Sequence, residues 1–325
     1  MKKQFYILVI IALISILSVA IISNFDYHGM TLINAQQQTI IDSDNNTNNT
    51  NIIDYRKIPY EKVRVGDIDI AYKILGNGDP ILLIMGYSGS KDDWDQTFIT
   101  RLSVNHSVIV FDNRGVSDST LGTKYYTINQ LAEDIVGLLN DLNINQVDIL
   151  GYSMGGMVAQ QLTLDHADRV DDLILYATHC GTIDQTYNPP QKLLEQFGNL
   201  TDKPNDNKQR FVPYQFPTSW INENRDFYDQ IFNSFKLPPN NVLEKQKEAM
   251  FKWISPGSCD KLSKISQDTL IIVGTADKII PSINSEIFKD KIKGAEVQTF
   301  VDGGHALMFQ FPERLNKEIH TFLNK

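Results

Sequence analysis

The sequence predicts an α/β protein: a mainly parallel, eight-stranded sheet with flanking helices and a mostly helical cap insertion late in the chain. Three observations carry this expectation. From residue 61 onward, short apolar strand patterns alternate with helical periodicities, which calls for crossover connections and parallel strands. Several strand segments are continuously apolar and rich in Ile and Val, as strands covered on both faces should be. Between about Ile183 and Leu262 the rhythm stops, over a length far beyond that of a structureless loop in a compact domain.

The N-terminus differs from the rest. Lys2 and Lys3 precede Phe5 to Ile22, an apolar run broken only by Ser15 and Ser18. As a helix that run would rise about 27 Å, near the roughly 30 Å hydrocarbon core of a bilayer. Residues 1–23 are therefore expected to form a signal anchor. Cleavage near Ser18-Val19-Ala20, giving a secreted protein, is the alternative. In both cases the lysines stay inside and the remainder is extracytoplasmic, with membrane contact only through this segment. Residues 24–57 read as a polar tether: NAQQQTIIDSDNNTNNTN has no periodic apolar face and holds two glycosylation patterns, Asn45-Asn46-Thr47 and Asn48-Asn49-Thr50.

The core is expected over 58–182 and 263–325. Glu61 to Leu75 alternates across Gly66-Asp67 as a hairpin, and PILLIM, SVIVF, VDIL, LILYA, TLIIV and VQTFV follow as strands. Ile128, Leu131, Ile135, Leu138 and Leu142 recur at spacings of three and four behind a candidate N-cap, Thr127. Phe311 to Leu323 is a second amphipathic helix, opened by Pro312. The insertion at 183–262 is dense in proline and aromatics, among them Phe211, Phe216, Trp220, Tyr228 and Phe235. Most of these should form the insertion's own core, and a minority should face a pocket beneath it.

Composition narrows the function. A net charge of −9, with lysines scattered singly, excludes a nucleic-acid footprint. Only Cys180 and Cys259 are present, which excludes a disulfide framework and a Cys₄ zinc site. Two unpaired buried thiols are expected, with one disulfide stapling the ends of the cap as the alternative.

Chemistry concentrates at ILGYSMGGMV, residues 149–158. A G-x-S-x-G pattern arises by chance in about one chain in ten of this length, so its setting decides. Here a buried strand precedes Ser153 and a helical segment follows it, the strand–turn–helix context that lifts a serine oxygen above a sheet. The Met154 N–H, at the helix start, is then available to a developing negative charge. A serine needs a base. Of six histidines, His28 lies in the tether, His166 and His320 on helix ends or faces, and His106 at the amino end of a strand. His305 follows the last strand at its carboxyl end, where open α/β sheets gather their ligands. His179 also follows a strand and is a minor alternative, as a pocket-lining residue. The orienting acid is expected to be Asp277, after TLIIVG. Asp184 is the runner-up, and Asp302 lies too near His305 in sequence to reach behind its ring comfortably. A second backbone donor, the Tyr87 N–H, is expected in MGYSG after the first long parallel strand.

With MGYSGS, FDNRGVSDS, GYSMGG, VGTADKIIP and GGHA in place, the chain from about residue 61 to its end resembles the α/β-hydrolase superfamily, in its capped, epoxide-hydrolase-like and ester-hydrolase-like branch. The resemblance implies the α/β-hydrolase fold, with Ser153 as nucleophile, His305 as base and Asp277 as its orienter. It implies an oxyanion hole from the Tyr87 and Met154 N–H groups and substrate contacts at Gly86, Tyr87 and Met154. The family usually has His-Gly where this chain has Met85-Gly86, which alters a pocket wall and leaves a backbone donor in place. Asp112 and Arg114 are implied to brace a turn.

The expected function is hydrolysis of a small-molecule carboxylic ester or lactone, with no metal or organic cofactor. A proline iminopeptidase, a carbon–carbon bond hydrolase or a cofactor-free peroxidase would use the same triad. A serine in place of an aspartate nucleophile speaks against epoxide hydrolysis and dehalogenation. A ligand-binding protein without turnover is the alternative from another class, and it would have no need of all three triad residues in register.

Overall fold

In the computed structural model, which describes residues 54–181, 186, 201 and 203–325, eight strands form one sheet. They are β1 (Glu61–Val65), β2 (Ile68–Leu75), β3 (Asp79–Ile84), β4 (His106–Phe111), β5 (Val147–Tyr152), β6 (Val170–Tyr176), β7 (Thr269–Gly274) and β8 (Glu296–Phe300). Their spatial order is β1-β2-β4-β3-β5-β6-β7-β8. β1 pairs antiparallel with β2, and β2 with β4, while every other neighbouring pair is parallel. The carboxyl ends of β3 to β8 therefore open on one edge of the sheet.

The helices of the described core are α1 (Gln96–Leu102), α2 (Ile128–Asp141) and α3 (Met154–Asp165) before the insertion. The insertion supplies α4 (Pro204–Phe211), α5 (Thr218–Glu223), α6 (Arg225–Ser234) and α7 (Asn240–Ile254). The core resumes with α8 (Asn284–Lys291) and α9 (Pro312–Leu323). Thr127 caps α2 as expected, its hydroxyl accepting the Gln130 N–H at 3.0 Å.

Strand side chains alternate between two apolar layers, which is why continuous apolar runs suit these strands. Leu82, Ile84, Ile109 and Phe111 pack with α2, α3 and α8, through residues such as Leu131, Val158 and Phe288. Ile81, Leu83, Val108 and Val110 pack on the other face with Phe98 of α1 and Leu315 and Ile319 of α9. α3 has almost no exposed face, so its periodicity is weak in sequence although it is the central helix.

Within the segment expected as tether, Tyr55 is buried and its hydroxyl donates to the Trp94 carbonyl at 3.0 Å. Two expectations need correction. The cysteines are paired: Cys180 and Cys259 form a disulfide with Cα atoms 4.9 Å apart, bringing together the two ends of the insertion. The expected membrane-anchored protein is also corrected. Among the described residues no helix is long and apolar enough to cross a membrane. The longest, α7, has 15 residues and rises about 22 Å, short of the roughly 30 Å needed. The anchor segment, the tether up to Ile53, the glycosylation patterns and His28 lie outside the described residues. Membrane contact and the localisation that rested on it are withdrawn.

Candidate active site

Ser153 stands between the end of β5 and the start of α3 with φ +55° and ψ −118°, a region a non-glycine residue occupies only when its surroundings force it. The turn is held from both sides. Its N–H donates to the Tyr176 carbonyl at 2.9 Å, and its carbonyl accepts the Thr178 hydroxyl at 2.8 Å. Gly155 is required by close approach: a Cβ there would lie 2.0 Å from the Ile84 carbonyl oxygen. The same crowding brings the β3 loop against the serine, since a Cβ on Gly86 would lie 3.0 Å from the Ser153 Cβ. Met154 opens α3, so its N–H is one of the helix's first-turn donors.

Asp277 and His305 come from the loops after β7 and β8. Those loops are tied by Thr275 N–H to the Phe300 carbonyl and Ala276 N–H to the Gly303 carbonyl, both 2.9 Å. The His305 Nδ1–H donates to Asp277 Oδ2 at 2.7 Å, and both side chains are almost wholly buried. Asp277 Oδ1 accepts the N–H groups of Ile279 and Ile280 at 2.7 and 2.8 Å. With both carboxylate oxygens engaged, the acid is fixed as an acceptor and the histidine's Nε2 is left with its lone pair. Ser153 and His305 line the same cavity. Asp302 is exposed on the far side of the turn, donating its N–H to Thr275 Oγ1 at 2.9 Å. Asp184 lies outside the described residues.

The cavity has a volume of about 370 Å³, within the range of small-molecule sites. Its walls are largely hydrocarbon. Met85, Met157 and Met308 come from the core and Phe211, Phe216, Phe235 and Met250 from the cap. Met85 thus forms an apolar wall where the resembling family has a histidine. Most cap aromatics serve the cap itself: Phe216, Tyr228, Trp220 and Phe232 cluster with Val212 and Ile221. Gln215 docks the cap onto the site, its Oε1 accepting the Tyr152 hydroxyl at 2.9 Å and its carbonyl the Ala306 N–H at 3.0 Å.

Polar groups reach the cavity at few points. Asp93 lines it, with Oδ2 accepting both the N–H and the hydroxyl of Ser90 at 2.7 Å. Burial pushes its carboxyl up to about 7 against those two donors, and the nearby Asp92 and Asp112 carboxylates add to the rise. His179, a minor candidate in the sequence, lines the cavity. Neither Asp93 nor the aromatic support of His305 was read from sequence. Tyr152 packs 5.1 Å from the His305 ring, and the Tyr176 hydroxyl donates to the His305 carbonyl at 3.0 Å. Both tyrosines end core strands, so the rule that sites gather at strand ends would have found them.

Behind the β3 loop lies a buried ion cluster. Lys91 Nζ is 2.9 Å from Asp112 Oδ2 and 2.5 Å from Asp118 Oδ2, and the Lys91 N–H donates to Asp112 Oδ1 at 2.7 Å. Burial alone would pull the Lys91 ammonium down; the Asp112, Asp118 and Asp92 carboxylates outweigh it and raise its pKa. Arg114 makes a two-toothed pair with Asp134 at 2.6 Å through each arm. Asp112 and Arg114 brace the loops that shape the site. Among the described residues no group of three or more His, Cys, Asp or Glu side chains is arranged to hold a metal ion.

Comparison with known proteins follows this geometry. A family model described as alpha/beta hydrolase fold matches residues 79–312. A proline iminopeptidase from Pestalotiopsis fici is 27% identical over 285 residues, 82% of this chain and 99% of that protein. A thermophilic esterase from Thermogutta terrifontis, solved with malate bound, is similar with TM-score 0.71 at 25% identity, covering 82% of this chain and 98% of that one. An enol-lactonase from Burkholderia xenovorans LB400 is similar in fold with TM-score 0.72 at 23% identity, covering 82% of this chain and 100% of that one.

Proposed function

Since the chain belongs to the α/β-hydrolase fold family, we propose that it is a serine hydrolase of carboxylic esters or lactones. The observation that carries this reading is one arrangement. Ser153 on its strained elbow shares a cavity with His305, whose Nδ1 is held 2.7 Å from a buried Asp277.

In this reading Ser153 Oγ attacks the substrate carbonyl while His305 Nε2 takes its proton. The oxygen that gains charge is held by the Met154 and Tyr87 N–H groups, with Gly86 keeping that wall close. Collapse of the intermediate breaks the bond to the alcohol, which leaves with the proton from His305. Water, deprotonated by the same imidazole, then attacks the acyl-enzyme and frees the acid. Asp277 accepts the hydrogen bond from the Nδ1–H throughout and steadies the imidazolium. The hydrocarbon walls favour an apolar acyl or alcohol part of medium size.

Asp93 favours a second reading, because a carboxyl on the wall of an apolar cavity can receive the amine of an N-terminal proline. The iminopeptidase relative is consistent with that chemistry. A panel of p-nitrophenyl esters from acetate to decanoate, simple lactones and proline arylamide separates the two. Ester or lactone turnover is expected to exceed arylamide turnover by at least about 100-fold and to vanish in Ser153→Ala. Equal turnover by Ser153→Ala would remove the serine from the mechanism, and a preference for the arylamide would replace the substrate class.

A further inference from the structure

His179 is a buried imidazole on the cavity wall that the triad does not use. Its protonation state follows from geometry. The Gly181 N–H points at Nδ1 from 2.9 Å, and a backbone N–H can only donate. Nδ1 is therefore the acceptor nitrogen, and in the neutral ring the proton sits on Nε2. Among the described residues nothing else bonds this ring, so the Nε2–H is left to the cavity. Burial pushes the imidazole down to about 4, and positive charge on His305 pushes in the same direction, so His179 is neutral near pH 7.

The segment that carries it is fixed. Thr178 bonds the Ser153 carbonyl, the His179 carbonyl accepts Gln160 Nε2 at 3.2 Å, and Cys180 is tied to Cys259. The Ser258 N–H adds a bond to the Cys180 carbonyl at 2.7 Å. A donor held this way costs little to order when a ligand arrives.

We propose that His179 is a substrate-binding residue. Its Nε2–H donates to a second acceptor on the substrate, such as a keto or ring oxygen a few atoms from the scissile carbonyl. The site then takes esters or lactones that carry such an oxygen in preference to plain alkyl esters of the same length. This deepens the serine-hydrolase reading and rests on it for the word substrate. The physical reason is the penalty on the wrong ligand. A plain hydrocarbon chain expels water from the donor and leaves it unpaired among apolar walls, which costs roughly 1–3 kcal/mol, or about 5- to 150-fold in binding.

The test uses the full chain and a matched pair, p-nitrophenyl pentanoate and p-nitrophenyl 4-oxopentanoate. The wild type should favour the oxo ester in kcat/KM by about tenfold or more. His179→Phe should bring the ratio to near unity, with the oxo ester losing about tenfold more than the pentanoate. A ratio unchanged in His179→Phe, or an equal fall on both esters, overturns the proposal, because support of His305 alone would not distinguish the two. A second arm does not depend on turnover. Long-range proton–nitrogen spectra of histidine-labelled protein should give His179 as the neutral Nε2–H form at pH 7. Its Nε2 signal should shift when 2-heptanone is added and stay still with heptane. A charged or Nδ1–H ring, or no shift with the ketone, overturns the proposal even if neither ester is hydrolysed. Loss of Ser153 dependence with the ketone shift intact would instead bring down the serine mechanism alone.

Discussion

The strand ends of the core and the helices of the cap meet at one cavity and contribute different things to it. The core supplies the groups that move protons in the proposed reaction, Ser153 and His305, with Asp277 to orient the imidazole, and holds each by backbone bonds or buried partners. The cap supplies mainly hydrocarbon, Phe211 and Met250 from helices and Phe216 and Phe235 from the turns after them, in a unit that also keeps a small apolar core of its own. The difference teaches a division of labour. In the proposed reaction, proton transfer sits where the fold leaves least freedom, and the hydrocarbon part of the substrate meets side chains that can be exchanged without disturbing the sheet.

Changes on the core side should be the costlier ones. Ser153→Ala should lower kcat/KM by about 10⁴-fold or more while thermal melting stays within a few degrees of wild type. A loss of only a few-fold in the ester assay would break the contrast at its centre. Gly155→Ala should destabilise by about 4 kcal/mol in urea unfolding, because its methyl group meets the Ile84 carbonyl and the elbow must move. The boundary between the two regions comes next. Replacing Cys180 and Cys259 together by Ser should cost about 4.5 kcal/mol, read in the same unfolding experiment, by the chain-entropy argument for a closed loop of sequence separation 79. An unchanged midpoint would mean that the cap is held by its packing and by Gln215 rather than by its stapled ends.

Cap changes should be mild and selective. Phe235→Ala should raise KM for an octanoate ester by about three- to tenfold and leave the acetate ester nearly unchanged, so the ratio of the two is the readout. Asp93, on the core wall of the cavity, sharpens the comparison through pH. A carboxyl raised by burial from about 3.8 to about 7 favours the fold fully below the lower value, and that contribution is lost as pH rises through about 7. Unfolding free energy should therefore fall by about 1 kcal/mol between pH 5 and 8 once solvent screening is allowed for, and Asp93→Asn should flatten that slope.

The same division explains what could be read from the residues alone. Parallel strands buried on both faces announce themselves as apolar runs, and the glycines around Ser153 mark a turn that tolerates no Cβ, so the sheet and the turn that carries Ser153 were legible. Other features depend on distance across the fold. The pairing of Cys180 with Cys259 needs the ends of the insertion to come within 4.9 Å, which spacing in sequence does not encode. The His179 proton depends on where the Gly181 N–H points, and the hold on Lys91 depends on Asp112 and Asp118 from a later loop. Tyr55 looked like part of a polar tether because its neighbours are polar; its burial comes from Lys91 and Trp94, far along the chain. Among the described residues the membrane-spanning helix expected from the N-terminal hydropathy has no counterpart.

The most direct measurement is the mass of the intact full-length protein after exposure to an alkyl fluorophosphonate, with the adduct located by peptide mapping. One equivalent of label on Ser153, and none on Ser153→Ala, is the expected result. A protein that hydrolyses esters yet carries its label on another residue, or takes up none, contradicts a nucleophilic Ser153.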